Sequence, residues 1–252
     1  RLLPALLQQL NETTATQDRT TLPAMGTTID LGAGTGASGY LALPESGSGP
    51  GIIVVQEWWG LNDQIRGTAD RLASDGFVAL APDLYRGELA GHDEMDRAGE
   101  LMSTLPPDRA AADMSAAVDA LVDHPATSGT GIGVVGFCMG GMLTFLLAAA
   151  RPDRIAAAVP FYGFPQGDTE PDFGPMTAAV RGHMARADDF FGPAAALDLE
   201  QRLRAMGKDV SFTIHDAGHA FMNETDALGS YDPELRARVW PEVVGFLHER
   251  LG

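Results

Sequence analysis

Four short runs of this chain are almost wholly apolar: "GIIVVQ" (51–56), "FVALAPDL" (77–84), "IGVVGF" (132–137) and "IAAAVPFYG" (155–163). Runs this short, without polar alternation and bounded by Gly or Pro, read as strands buried on both faces. "VRGHMARAD" (180–188) and "DVSFTIHDAG" (209–218) continue the series with more polar residues. Segments of helical period lie between the strands, long enough to carry parallel crossovers. The alternation predicts an α/β fold: a mostly parallel central sheet with helices on both faces.

The element ends support this reading. "TTIDLG" and "GYLALP" flank a Gly/Ala/Thr/Ser-rich stretch and are expected to form a hairpin. Asn62 is placed to cap a helix that stops at Gly76. A second helix is expected over "HDEMDRAGELMST". Pro107 opens a third, with Val118, Leu121 and Val122 on one stripe. "MGGMLTFLLAAA" is so apolar that the helix it forms should be buried. Gly207 ends the next helix, and Pro241 is expected to interrupt the last. No repeat, linker or low-complexity tract divides the chain. One domain is expected over residues 25–252, with residues 1–24 an extension outside it.

The formal net charge of −17 argues against nucleic acid or an anionic membrane surface as partner. No apolar run approaches the roughly 20 residues that cross a bilayer. A single cysteine excludes an internal disulfide and a multi-cysteine metal site. A cytoplasmic monomer acting on a small molecule, without metal or cofactor, is the expectation.

That cysteine lies in "VVGFCMGGM" (134–142). A strand ending in Gly-x-nucleophile-x-Gly and passing straight into a helix is the nucleophile elbow of the α/β-hydrolase fold. Gly136 and Gly140 suit it, because side chains two positions either side of the nucleophile would meet neighbouring backbone. The helix starting near Met139 would turn its free N–H groups toward Cys138, favouring a thiolate and later an oxyanion. The alternatives are a small buried hydrophobe and a phosphate-binding turn. The latter lacks the Lys-Ser/Thr of a P-loop. A thiol nucleophile needs a base, and the base needs an orienting acid. In this fold the order along the chain is nucleophile, acid, histidine. His219, in "DAGHAF" just after a strand, is the best-placed histidine. Asp188 or Asp189, where "VRGHMARADDFFGP" breaks, supplies the acid.

Together, "VVQEWWGLND", "APDLYRG", "GFCMGG", "HMARADDFFGP" and "AGHAF" resemble the dienelactone hydrolase (carboxymethylenebutenolidase) family of α/β-hydrolases, from about Met25 to the C-terminus. The resemblance implies a carboxylic ester hydrolase opening a dienelactone-type lactone through a cysteine acyl-enzyme, with a broader carboxylesterase or thioesterase on the same residues, or a non-catalytic binding member of the fold, as the alternatives. It assigns Cys138 as nucleophile, His219 as base, Asp188 rather than Asp189 as acid, and the N–H groups of Met139 and Trp58 as the oxyanion hole. It also implies that Glu57 pairs with the resting thiol until substrate displaces it. Family members grip the substrate carboxylate with two arginines. Here Asn223 stands at one of those positions, and Arg86 and Arg97 are candidates for the other. Tyr85 and Trp59 are expected to help line the pocket.

Overall fold

The computed structural model describes residues 26–32 and 36–252. The expected extension over residues 1–24 lies outside them. Eight strands form one sheet: β1 (Gly26–Asp30), β2 (Ser38–Ala42), β3 (Gly49–Val55), β4 (Val78–Pro82), β5 (Thr127–Phe137), β6 (Ile155–Phe161), β7 (Ala179–Ala187) and β8 (Val210–Gly218). Their spatial order is β1-β2-β4-β3-β5-β6-β7-β8. β1 and β2 are the expected hairpin and pair antiparallel, as do β2 and β4. Every other pairing is parallel.

Six α-helices are found among the described residues: α1 (Asp63–Ser74), α2 (Met95–Thr104), α3 (Pro107–Val122), α4 (Met139–Ala150) and α5 (Pro193–Ala205), which carry the crossovers, and α6 (Pro233–Leu251), which follows the last strand. α1 and α6 cover one face, and the other four cover the opposite face. The strands divide their side chains accordingly. Ile53 and Val55 of β3 point to the four-helix face, Ile52 and Val54 to the other, and all four are fully buried. This explains why the central strands read as continuous apolar runs: both pleat faces meet a helix layer. Each such side chain contributes about 1.5–3 kcal/mol of burial free energy.

Asn62 caps α1 as expected, its Oδ1 accepting from the Ile65 N–H at 3.1 Å. Val118 and Leu121 are buried on the stripe expected for α3, with Val122 packed at its margin. The last helix departs from expectation, because α6 runs unbroken through Pro241. The carbonyl that proline leaves without a donor, on Ala237, belongs to an exposed turn where water can satisfy it. Leu235, Val239, Val243 and Leu247 still hold the helix to the sheet on both sides of the proline.

From β3 the chain steps outward to β4, then crosses back over β3 to lay down β5 on its other side. The connections leaving the carboxyl ends of β3 and β5 therefore diverge and open a crevice. Glu57 follows β3 and Cys138 follows β5.

Candidate active site

Cys138 sits between β5 and α4 with φ 55° and ψ −118°, a left-handed conformation that a side chain rarely adopts. The surrounding backbone holds it there. Its N–H donates to the Phe161 carbonyl at 3.0 Å, and its carbonyl accepts from the Gly141 N–H at 2.9 Å. The glycines are steric necessities. A Cβ on Gly136 would collide with the Gly140 carbonyl, and one on Gly163 with the carbonyl of Cys138 itself.

The thiol is half-buried. Burial raises its pKa above the ordinary range, and the neighbouring Glu57 charge pushes the same way. The N–H groups of Met139 and Trp58 both point at the sulfur and oppose that shift. The site thus pairs a suppressed thiol with two converging donors.

His219 follows β8 directly. Its Nδ1 lies 2.8 Å from Asp188 Oδ2, at the end of β7, and both side chains are buried. Asp188 Oδ1 accepts from the N–H groups of Phe190 and Phe191, each at 2.9 Å. Burial alone would raise this carboxyl's pKa. The His219 hydrogen bond and the two N–H donors outweigh it and hold the pKa below the usual range. Asp189 turns outward and is exposed. The ring of His219 is flanked by Tyr162, Phe190 and Phe191, with centroids 5.1, 5.1 and 5.9 Å away.

Glu57 is 1% exposed. The Tyr162 hydroxyl donates to its Oε1 at 3.1 Å, and Asn223 Nδ2 donates to its Oε2 at 2.6 Å. Both carboxylate oxygens are thus engaged, and the direct hydrogen bond to the resting thiol, expected from the sequence, is absent. Burial raises the Glu57 pKa above the usual carboxylate range, against the opposing pull of the Tyr162 hydrogen bond, His219 and the Asn223 hydrogen bond.

The expected substrate-contacting residues divide. Tyr85 is buried beside the elbow, its hydroxyl 3.6 Å from the Met139 sulfur. Trp59 is 2% exposed and belongs to the core, packed edge-on against Trp58 and His92. Arg86 is turned toward α3, where its guanidinium meets Asp113 at 3.1 Å. Arg97 is bound by Glu88 and Glu100. Asn223 has no spare hydrogen-bonding capacity on its carbonyl side, because Oδ1 accepts both the N–H and the hydroxyl of Thr225.

Tyr162 was not singled out from the sequence. The available signal was a tyrosine–glycine step at the end of a buried strand, and the structure gives it a positive φ of 36°. His215 and His219 stand four apart, a spacing that on a helix could mark a metal site. Here they lie on a strand and the loop after it. His215 Nε2 meets His183 Nδ1 at 3.0 Å, while His219 turns to Asp188.

Residues 37–251 match the model of the dienelactone hydrolase family. The chain belongs to that family. "Protein usf" of Aquifex pyrophilus is 38% identical over 225 residues, spanning 86% of this chain and 95% of that protein. A protein of Aquifex aeolicus named "Putative carboxymethylenebutenolidase" is 33% identical over 220 residues, spanning 84% and 93%. Among solved structures, a dienelactone hydrolase-like promiscuous phosphotriesterase from metagenomic libraries superposes with a TM-score of 0.76 at 25% identity. That match covers 90% of this chain and all of the other. This dienelactone hydrolase relative is a carboxylic ester hydrolase of the α/β-hydrolase fold. No helix among its described residues is long and apolar enough to cross a membrane.

Proposed function

We propose that this family member opens the ester bond of a dienelactone-type lactone through a thioester on Cys138. The observation that carries this reading is the buried Asp188–His219 pair, which lies at the same carboxyl edge of the parallel sheet as the strained elbow. With Nδ1 turned to Asp188, His219 has Nε2 free for proton transfer.

Cys138 Sγ attacks the carbonyl carbon and its proton passes to His219. The carbonyl π electrons move onto oxygen, which accepts from the N–H groups of Met139 and Trp58. Collapse of the tetrahedral intermediate expels the ring oxygen, which takes the proton back from His219 and stays tethered to the acyl group. Water, deprotonated by His219, then attacks the thioester. The acid leaves and Cys138 is reprotonated. Asp188 fixes the imidazole tautomer and stabilises its charged form. Burial keeps the thiol neutral in the resting site, and cysteine remains an effective nucleophile even when little ionised.

A second reading, a broader carboxylesterase on the same residues, is favoured by the arginines. Arg86 and Arg97 are committed to Asp113, Glu88 and Glu100, and Asn223 is committed to Glu57. The two candidate arginines are thus already paired with acidic side chains, and an asparagine engaged with Glu57 stands at the remaining position.

The test is to trap the intermediate. A slowly hydrolysed ester or lactone is mixed with the protein, and intact-mass and peptide analysis follow. One acyl group on Cys138 is expected. An adduct elsewhere, or hydrolysis with no adduct in a Cys138→Ala background that stays active, overturns the mechanism. Comparing a carboxylate-bearing lactone with neutral aryl esters separates the two readings.

A further inference from the structure

We propose that the Tyr85 hydroxyl is a third donor of the oxyanion hole, a catalytic residue that hydrogen-bonds the developing negative oxygen beside the N–H groups of Met139 and Trp58. This inference rests on the reading of Cys138 as nucleophile and gives a specific task to a residue expected only to line the pocket.

Strand order puts Tyr85 on the matching side of the sulfur. Asp188 and His219 follow β7 and β8, on one side of the elbow strand β5, whereas Trp58 follows β3 and Tyr85 follows β4, on the other. A carbonyl attacked by Cys138 turns its oxygen away from the base and toward the two N–H groups, on the side that also carries Tyr85. The tyrosine is 4% exposed. Its hydroxyl reaches the side chain of Met139, the residue after the nucleophile, with Oη 3.6 Å from Sδ. That thioether is a weak acceptor, and no other hydrogen-bond partner faces the hydroxyl among the described residues. A buried tyrosine hydroxyl ordinarily engages a strong partner. An oxyanion forming next to Met139 is such a partner, and it exists only during the reaction.

A donor of this kind helps catalysis when it is held in place beforehand. Asp83 Oδ1 accepts from the Tyr85 N–H at 3.2 Å, and its Oδ2 from the Gly87 N–H at 2.7 Å. Gln56, fully buried two residues before Trp58, accepts from the Leu84 N–H at 3.2 Å through Oε1. The loop bearing the Trp58 N–H and the turn bearing Tyr85 are thus tied together. Gly60 lets them close, since a Cβ there would come within 2.9 Å of the Glu88 carbonyl and 3.3 Å of the Tyr85 ring. Burial, and then the nearby Cys138, hold the Tyr85 pKa above the ordinary tyrosine range. The phenol therefore keeps its proton and stabilises the oxyanion by hydrogen bonding alone, while the thiol proton passes to His219.

The test compares two reactions of one sulfur. Iodoacetamide is attacked at a saturated carbon, so no oxyanion forms, and it reports on Cys138 alone because the chain has no other cysteine. A p-nitrophenyl ester is attacked at its carbonyl. In Tyr85→Phe the single-turnover acylation rate is expected to fall about 10- to 100-fold, the scale of a hydrogen bond to a charged group, while the rate of iodoacetamide labelling is unchanged. A trifluoromethyl ketone extends the comparison. Sγ adds to its carbonyl carbon, the π electrons move onto oxygen and the thiol proton passes to His219. Tyr85→Phe should bind this ketone more weakly by the same factor. Acylation at the wild-type rate overturns the proposal. So does an equal fall in acylation and alkylation, which would mean that the hydroxyl only supports the elbow. If Tyr85→Phe does not fold, Tyr85 is replaced by 3-fluorotyrosine, whose more acidic phenol is the stronger donor. Tighter binding of the ketone is then expected, and unchanged binding overturns the proposal. Acyl trapping on wild type keeps the two readings apart. Acylation of Cys138 without a Tyr85 effect sinks only the third donor, and no acylation sinks the nucleophile.

Discussion

His219 Nδ1 lies 2.8 Å from Asp188 Oδ2, and the other oxygen of Asp188 is fixed by the backbone N–H groups of Phe190 and Phe191. The acid is thereby aimed at the imidazole before any substrate is present. Asp188→Asn keeps the shape but presents the wrong partner to Nδ1. It is expected to lower kcat by about 10³–10⁴-fold, the scale seen when a triad acid is neutralised. The exposed Asp189, changed to Asn, should stay within about twofold of wild type, as surface substitutions do. Steady-state ester hydrolysis by the two variants checks this, and equal losses would place the acid elsewhere.

Cys138→Ala removes the sulfur while leaving the strained turn in place. Hydrolysis is expected to fall to the level of background, with the circular dichroism spectrum and Tm close to wild type. Retained turnover would mean that another group performs the attack.

Gly163 and Gly67 make a paired test of the packing. A methyl group on Gly163 meets the Cys138 carbonyl, whereas one on Gly67, on the exposed side of α1, meets nothing. Gly163→Ala is expected to destabilise by about 1–3 kcal/mol, as overpacking does, and to lower activity by moving the elbow. Gly67→Ala should stabilise by about 0.5–1 kcal/mol through helix propensity. Urea denaturation of both variants measures the contrast, and a neutral Gly163→Ala would show that the turn has room to give.

His183 sets an acid limit on the fold. Burial, and then the neighbouring His215, hold its pKa down to about 3, against about 6.5 in an unfolded chain. Between those values the unfolded state binds a proton that the folded state refuses. Its contribution to stability is therefore fully present above about pH 6.5. It declines by up to about 1.4 kcal/mol per pH unit as the pH falls toward 3. His215, also shifted down by burial, adds in the same direction. His183→Phe, which can still stack on Phe161, should show a shallower loss between pH 6.5 and 4 in urea titrations. A slope identical to wild type would mean that His183 is not held neutral.

How much of this was readable along the chain depends on the range of the interaction. The strand–helix alternation, the Asn62 cap and the glycines of the elbow are local consequences of side-chain period and backbone sterics, so they are legible in order of residues. Pro241 misled because its cost depends on whether the orphaned Ala237 carbonyl is buried or wet, and only the packing of α6 settles that. Asp188 and Asp189 are chemically identical neighbours. One faces His219 and the other faces water because β7 ends where it does. Arg86 could not be told from a substrate-facing arginine until α3 brought Asp113 to within 3.1 Å of it. The same holds for Asn223: 166 positions separate it from Glu57 along the chain. Periodicity and motif spacing thus specified the sheet, its two helix layers and the chemistry available at their edge. Which polar groups meet was decided by the tertiary fold, whose strand order gathers loops from distant parts of the chain at one edge of the sheet, where a buried polar group is costly unless it finds a partner.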